Sequence, residues 1–123
     1  MLPKECLVSV IDDDKSLLSA IVGLVRSLGY KVSGHESAEA FLDSDEPARA
    51  SCVITDIHMP GMSGIDLKIE LSNRHNDVPV IMITARSETA LLNRARQSGA
   101  HCLLTKPFHH DDFIACLEKA IPA

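Results

Sequence analysis

Short and nearly continuous apolar runs alternate five times along the chain with longer segments in which apolar residues recur at helical spacing. The first run, Cys6 to Ile11, is rich in β-branched residues and ends abruptly at Asp12. A run of this kind is typical of a strand that is buried on both faces of a parallel sheet. The pattern predicts strands at 6–11, 30–34, 52–55, 78–83 and 102–104.

The segments between these runs predict five helices. In the first, Leu17, Ile21 and Leu28 share one face, and Gly29 supplies the C-terminal stop. Ser37 is a candidate N-cap for a short second helix. Residues 43–51 are polar and contain a proline, which predicts a loop. The remaining helices are predicted at 65–71, 88–97 and from about residue 111 onwards.

Strands that alternate with helices of this length form right-handed βαβ units, which give a parallel sheet covered on both faces. We therefore predict an α/β fold, a doubly wound five-stranded parallel sheet with five helices. The flavodoxin-like strand order 2-1-3-4-5 is favoured because the chain has no extended dinucleotide-binding half. At 123 residues the chain has the size of one domain, spanning 1–123.

Composition excludes several classes of function. The net charge is −5, aromatic residues make up 3% of the chain, and no run of Lys or Arg occurs, so direct binding of nucleic acid is disfavoured. No signal peptide or membrane-spanning stretch is evident, which predicts no membrane association and a cytoplasmic location. The four scattered cysteines are interpreted as buried reduced thiols, at Cys6, Cys52, Cys102 and Cys116.

Polar residues follow the predicted strand ends. Asp12 and Asp13 end the first strand, Asp56 the third, Thr84 the fourth and Lys106 the fifth. Because the carboxyl ends of parallel strands meet at one edge of the sheet, these five side chains are expected to share a crevice. Three neighbouring carboxylates imply a cation, a raised pKa or both, and oxygen ligands suit Mg²⁺ better than zinc.

Asp56 is the candidate nucleophile because it ends the central strand, and a carboxylate that attacks phosphorus yields an acyl phosphate. Mg²⁺ and the Lys106 ammonium would neutralise the transferring oxygens from opposite sides, and the Thr84 hydroxyl would add a hydrogen bond. Each residue also has a plain structural interpretation. Residues 12–14 could cap the first helix, Asp56 could form a turn, Thr84 could be an N-cap and Lys106 a surface charge. Their shared location favours the functional interpretation.

Four ordered motifs resemble receiver domains of two-component systems, and the match spans essentially the whole chain. They are Val-Ile-Asp-Asp-Asp at 10–14, Thr-Asp-Ile-His-Met-Pro-Gly-Met-Ser-Gly at 55–64, Ile-Thr-Ala at 83–85 and Lys-Pro-Phe at 106–108. Residues 37–42, Ser-Ala-Glu-Ala-Phe-Leu, further resemble the FixJ-like branch of this family.

The resemblance implies that Asp56 is the phosphoacceptor, and that Asp13, Asp56 and the backbone carbonyl of His58 bind Mg²⁺. Asp12 would hold a metal-bound water. The donor would be a phosphohistidine on a sensor histidine kinase or a phosphotransfer protein. The domain would catalyse its own phosphorylation and dephosphorylation only, which makes it a signalling switch and not a metabolic enzyme.

The resemblance also implies how the switch operates. Thr84 would contact the phosphoryl group, Lys106 would pair with it, and the Lys106–Pro107 bond would be cis. Phosphorylation would repack the face made by the predicted fourth helix, fifth strand and closing helix. Many receivers carry an aromatic residue three positions before the lysine, but this chain has Leu103 there, which puts the aromatic form of the switch in doubt. Arg86 occupies a position that influences phosphoryl lifetime in the family.

FixJ-like regulators usually join the receiver to a DNA-binding helix-turn-helix domain. The resemblance therefore leaves open that this chain is the amino-terminal part of a longer transcription regulator, and that it forms a homodimer on phosphorylation. Two other classes remain open at this point. A Mg²⁺-dependent hydrolase would need a separate acid or base near Asp56, where His58 stands two positions later. A receiver-like module that is never phosphorylated would have lost an acid, the threonine or the lysine, and all of these are present.

Overall fold

A computed structural model describes residues 6–121, so the outermost residues of the predicted 1–123 domain lie outside the described part. The described residues contain all five predicted strands and all five predicted helices, each with bounds close to the predicted ones. They also contain one short helix that the sequence did not predict. The elements are β1 (Leu7–Ile11), α1 (Lys15–Ser27), β2 (Lys31–His35), α2 (Ala38–Asp43), α3 (Glu46–Arg49), β3 (Cys52–Asp56), α4 (Gly64–Asn73), β4 (Val80–Thr84), α5 (Thr89–Gln97), β5 (Cys102–Thr105) and α6 (His110–Ala120).

The strands form one parallel five-stranded sheet in the order β2-β1-β3-β4-β5, which confirms the predicted fold class and strand order. The registers bring the strand ends level. Ile11 pairs with Thr55, Asp56 pairs with Ile83, and Thr84 pairs with Thr105. The carboxyl ends of β1, β3, β4 and β5 therefore lie at one edge of the sheet.

Two hydrophobic layers cover the sheet, because strands buried on both faces send alternate side chains into each layer. On one face, α1 packs against β1 and β2 and α6 packs against β4 and β5, and this layer includes Ile21, Val25 and Phe113. On the other face, α2, α4 and α5 bury Phe41 and Leu67, together with other small and branched residues. The central strands β1, β3 and β4 are consequently fixed from above and below, and so are the residues at their ends.

The loop predicted at 43–51 is wrong in part, because residues Glu46–Arg49 form the single-turn helix α3. Pro47 stands in its first turn, where a proline is tolerated. Its anchor is the Glu46 carboxylate, which is buried beside the sheet edge. Ser9 Oγ donates to Glu46 Oε1 at 2.7 Å and Ser33 Oγ donates to Oε2 at 2.8 Å. His35 Nε2 lies 2.8 Å from Oε1.

The interpretation of all four cysteines as reduced thiols is wrong for two of them. Cys102 on β5 and Cys116 on α6 form a disulfide, with their Cα atoms 6.0 Å apart. The packing of α6 against β5 brings the two Cα atoms within the range that a disulfide spans. Cys6 and Cys52 are free thiols, and Cys52 is buried. Among residues 6–121, no helix is both long enough and apolar enough to cross a membrane.

Candidate functional site

Three carboxylates meet at the carboxyl edge of the sheet, as the sequence predicts. One oxygen each of Asp12, Asp13 and Asp56 can be chosen so that all three atoms lie within 4.8 Å of one another. Asp12 is 2% exposed, Asp56 is partly buried and Asp13 is exposed. Clustered carboxylate oxygens open to solvent on one side are a ligand set that suits a hard divalent cation such as Mg²⁺.

The turn after β1 fixes the first of these carboxylates. The backbone N–H of Asp12 donates to the His35 carbonyl at 3.1 Å, which continues the β1–β2 pairing past the last strand residue. Asp12 Oδ1 accepts from the backbone N–H of Asp14 at 2.9 Å. Asp14 in turn caps α1, since its carboxylate accepts from the N–H groups of Ser16 and Leu17. The N-cap interpretation thus applies to Asp14. The carboxylates of Asp12 and Asp13 lie beside that of Asp56 instead.

Asp56 lies at the end of β3, the central strand of the sheet. Its Oδ1 accepts from the backbone N–H of Ile57 at 3.0 Å, and Lys106 Nζ lies 3.8 Å from the same oxygen. Burial raises the pKa of Asp56 and repulsion from Asp13 adds to this, although Lys106 and the Ile57 N–H oppose both. Burial also raises the pKa of Asp12, and the charge of Asp56 contributes further. Negative charge is therefore in excess at this edge, and a bound cation would relieve it.

Thr84 ends β4 and Lys106 follows β5, at the same edge of the sheet. Thr84 is fully buried, and its Oγ1 accepts from the backbone N–H of Arg86 at 3.0 Å. A hydroxyl that accepts keeps its own proton to donate. The backbone N–H of Lys106 donates to the Thr84 carbonyl at 2.8 Å, so the two residues are tied together. The Lys106–Pro107 peptide bond is cis, as the resemblance implied.

His58 lies in the loop between β3 and α4, and its side chain is exposed. The loop is closed at its base, because the N–H of Gly64 donates to the Ile57 carbonyl at 3.0 Å. At its tip, the Glu39 carboxylate accepts from the N–H of Met62 at 3.0 Å. Gly61 beside it has a φ of +77°, a conformation that glycine adopts without strain. The loop is thus held at both ends around His58.

Glu39 is a contributor to the site that reasoning from the spacing of polar residues missed. It lies on α2, 23 positions before the amide that it accepts from, and it does not follow a strand end. Sequence pattern links residues that share a strand edge or a helix face, whereas this contact joins a helix to a distant loop. The six-residue segment 37–42 that carries Glu39 is a signal for it, since this segment resembles the FixJ-like branch.

Fold and site together define a class of protein. The chain belongs to the response regulator receiver family, since the family model of the response regulator receiver domain matches residues 8–118. Proteins of this class are parts of two-component systems, and their receiver domains generally bind Mg²⁺ at an acidic pocket.

Particular relatives place the chain near FixJ. It is 37% identical over 120 residues to the transcriptional regulatory protein FixJ of Azorhizobium caulinodans, a match that covers 98% of this chain and 57% of that protein. It is 33% identical over 118 residues to the response regulator protein TmoT of Ectopseudomonas mendocina, covering 96% of this chain and 54% of that protein. The chain therefore spans about half the length of these curated relatives.

Solved structures agree with this placement. The crystal structure of FixJ-N superimposes with a TM-score of 0.85 at 29% identity, covering 94% of this chain and 92% of that chain. The structure of the response regulator StyR superimposes with a TM-score of 0.86 at 34% identity, covering 94% of this chain and 58% of that chain. The predicted resemblance to a FixJ-like receiver is thereby confirmed.

Proposed function

We propose that this chain is a phosphorylation-driven switch in which Asp56 accepts a phosphoryl group in a Mg²⁺-dependent reaction. The observation that carries the proposal is the position of the Asp56 carboxylate, which lies close both to two further carboxylates and to the Lys106 ammonium. A partly buried carboxylate that has a compensating charge and a cluster of oxygen ligands near by suits phosphoryl transfer to an oxygen nucleophile.

Asp13, Asp56 and the backbone carbonyl of His58 would hold Mg²⁺, and Asp12 would act through a water molecule. The fit rests on the close oxygens of the three aspartates and on the raised pKa of both Asp12 and Asp56, which burial causes, with repulsion from Asp13 adding to it at both residues. When bound, Mg²⁺ supplies positive charge that neutralises the oxygens of the transferring phosphoryl group.

The reaction transfers the phosphoryl group from a phosphohistidine of a sensor histidine kinase or a phosphotransfer protein. A bond forms between an Asp56 carboxylate oxygen and phosphorus while the N–P bond breaks, and the donor imidazole leaves with the electron pair. Because Oδ1 of Asp56 is occupied by the Ile57 N–H, Oδ2 is the freer oxygen for attack. The Lys106 ammonium would pair with the phosphoryl oxygens, and the Thr84 hydroxyl would donate to one of them.

The chain would act on itself only. Water would later hydrolyse the acyl phosphate on Asp56, with the same residues holding the phosphoryl group. Engagement of Thr84 would draw the segment that follows β4 towards the phosphate and repack the face formed by α5, β5 and α6, here called the output face. Leu103 on β5 is partly buried and would repack there in place of an aromatic side chain.

Residues 1–123 would form one receiver domain of a longer, cytoplasmic regulator of transcription. This proposal rests on the relatives, which include the transcriptional regulatory protein FixJ, of which this chain covers 57%. Contact with DNA would belong to an output domain and not to this acidic domain, whose net charge is −5. Phosphorylation would favour a homodimer, which would couple the output face to DNA binding.

The test is intact mass after incubation with acetyl phosphate, with and without Mg²⁺. We expect one phosphoryl adduct that requires Mg²⁺ and is absent from Asp56→Asn. Asp45→Asn is the matched control, because Asp45 is an exposed acid that pairs only with Arg49 among its described contacts, and it should label normally. A folded chain that binds Mg²⁺ without labelling would contradict the proposal, and turnover of an added phosphate ester would favour a hydrolase.

A further inference from the structure

The disulfide between Cys102 and Cys116 joins two elements of the proposed output face. Cys102 begins β5 and pairs with Ile81 of the neighbouring strand. Cys116 lies in the middle of α6 and is 8% exposed, within the core layer between α6 and the sheet. Cys102 is the more accessible of the two, at intermediate burial. Cys102 is therefore the more reachable of the two cysteines for a small reagent.

The covalent ring that this bond closes contains part of the candidate site. Residues 103–115 lie between the two cysteines and include Lys106, whose ammonium lies 3.8 Å from Asp56 Oδ1. The ring also holds Phe108 and Phe113, whose rings stack at 5.7 Å. The two ends of the segment that carries Lys106 are thus joined by a bond in addition to their packing.

We propose that Cys102 and Cys116 are a reversible redox modification site, oxidised to a disulfide by exchange with a small disulfide such as oxidised glutathione. The Cys102 thiolate attacks the small disulfide and expels one thiolate. The Cys116 thiolate then attacks the Cys102 sulfur of the mixed disulfide and expels the second. The protein loses two electrons and two protons, and the small disulfide gains both as two thiols.

A functional consequence rests on the proposed function. Phosphorylation is proposed to repack α5, β5 and α6 relative to one another. A bond between β5 and α6 adds a constraint that resists their relative movement and favours the resting arrangement. The oxidised chain should therefore respond less to phosphorylation at its output face than the reduced chain, which makes the switch sensitive to the thiol state of its surroundings.

The redox claim is tested without reference to phosphorylation. The chain is equilibrated in glutathione buffers from reducing to oxidising, quenched in acid, denatured and alkylated with N-ethylmaleimide before intact mass is measured. We expect a change from four alkylated thiols to two, with a peptide that links Cys102 to Cys116. Cys6→Ser should lower both alkylation counts by one and leave the midpoint unchanged, whereas Cys116→Ser should leave Cys102 as a mixed disulfide with glutathione.

Three results of this titration would overturn the redox claim. They are four free thiols at every ratio, glutathione adducts without the internal link, and two free thiols even in the most reducing buffer.

The functional consequence is tested by hydrogen exchange of residues 89–116 in both redox forms, before and after labelling with acetyl phosphate. Labelling should change the exchange rates of these residues in the reduced form, and we expect this change to be at least about fivefold smaller in the oxidised form. An equal change in both forms would refute the functional consequence, and failure of both forms to label would refute the proposed function instead.

Discussion

At the scale of single residues, Gly64 lies in close contact with the central strand beside the candidate site. A Cβ atom at this position would collide with the carbonyl oxygen of Asp56 and lie 3.1 Å from Cγ2 of Thr55. Both neighbours belong to the central strand, so neither can move without displacing the proposed phosphoacceptor. The absence of a side chain at Gly64 thus allows α4 to start directly against the end of β3.

Gly64→Ala is expected to lower the free energy of unfolding by about 1–3 kcal/mol, because overpacking forces the backbone at Asp56 to shift. Gly23→Ala is the matched control. Gly23 lies in α1, and a Cβ there would meet nothing within 4 Å. The control should gain about 0.5–1 kcal/mol from helix propensity. Urea denaturation of both variants measures the difference, and equal stability of the two would contradict the close approach.

The carboxylate cluster makes a second prediction at this scale. Burial and the charge of Asp56 raise the pKa of Asp12, so its ionised form destabilises the folded chain at neutral pH when divalent cations are absent. Asp12→Asn should therefore raise the urea midpoint in EDTA at pH 7, and this advantage should shrink or reverse as Mg²⁺ is added. Asp14→Asn keeps a capping side chain on α1 and should change little in either condition.

A higher midpoint for Asp12→Asn that is independent of Mg²⁺ would argue against a shared cation site. The same experiment separates charge repulsion from local packing, because the asparagine oxygen can still accept from the N–H of Asp14.

At the scale of elements, α3 depends on one buried acid. Burial alone would raise the pKa of Glu46, but hydrogen bonds from His35, Ser9 and Ser33 outweigh it and hold the pKa below its ordinary value of 4.5. An acid with a lowered pKa stabilises the fold above its unfolded-state pKa and loses that contribution as the pH falls through its folded-state pKa. The anchor of α3 should therefore weaken in acid.

Glu46→Gln should lower the free energy of unfolding by about 1–3 kcal/mol at pH 7, since it replaces a charged acceptor with a neutral amide. The deficit relative to the native chain should shrink as the pH falls below about 4.5. Glu36→Gln, at an exposed position near by, should show neither effect. Urea midpoints at a series of pH values measure this, and a deficit that stays constant with pH would show that Glu46 acts through packing alone.

The buried strands and the short helix α3 together show why the sequence predicts only part of the fold. β1, β3 and β4 are mostly apolar because both of their faces are buried, so their residues alone indicate parallel strands. α3 has one turn and an acid in place of an apolar face. Its stability comes from Ser9, Ser33 and His35, which are 11 to 37 positions away, so no local pattern predicts it.

At the scale of the whole molecule, the topology brings the predicted site residues together. A parallel sheet places its carboxyl strand ends at one edge, which is why reasoning from strand ends alone could group Asp12, Asp13, Asp56, Thr84 and Lys106. The disulfide could not be predicted in the same way, because it depends on how α6 packs on β5. The four cysteines are scattered and form no paired motif, so the sequence predicts reduced thiols. The disulfide forms because the fold brings Cys102 and Cys116 together.

The central claim is that chemistry at Asp56 is transmitted to the output face. Hydrogen exchange measured by mass spectrometry, in Mg²⁺ with and without acetyl phosphate, tests it most directly. In the reduced chain, labelling should change exchange in residues 84–105 and in α6, and the change should vanish in Asp56→Asn. A phosphoryl adduct on Asp56 that leaves exchange in α5, β5 and α6 unaltered would contradict the account, because the chain would then accept phosphate without switching.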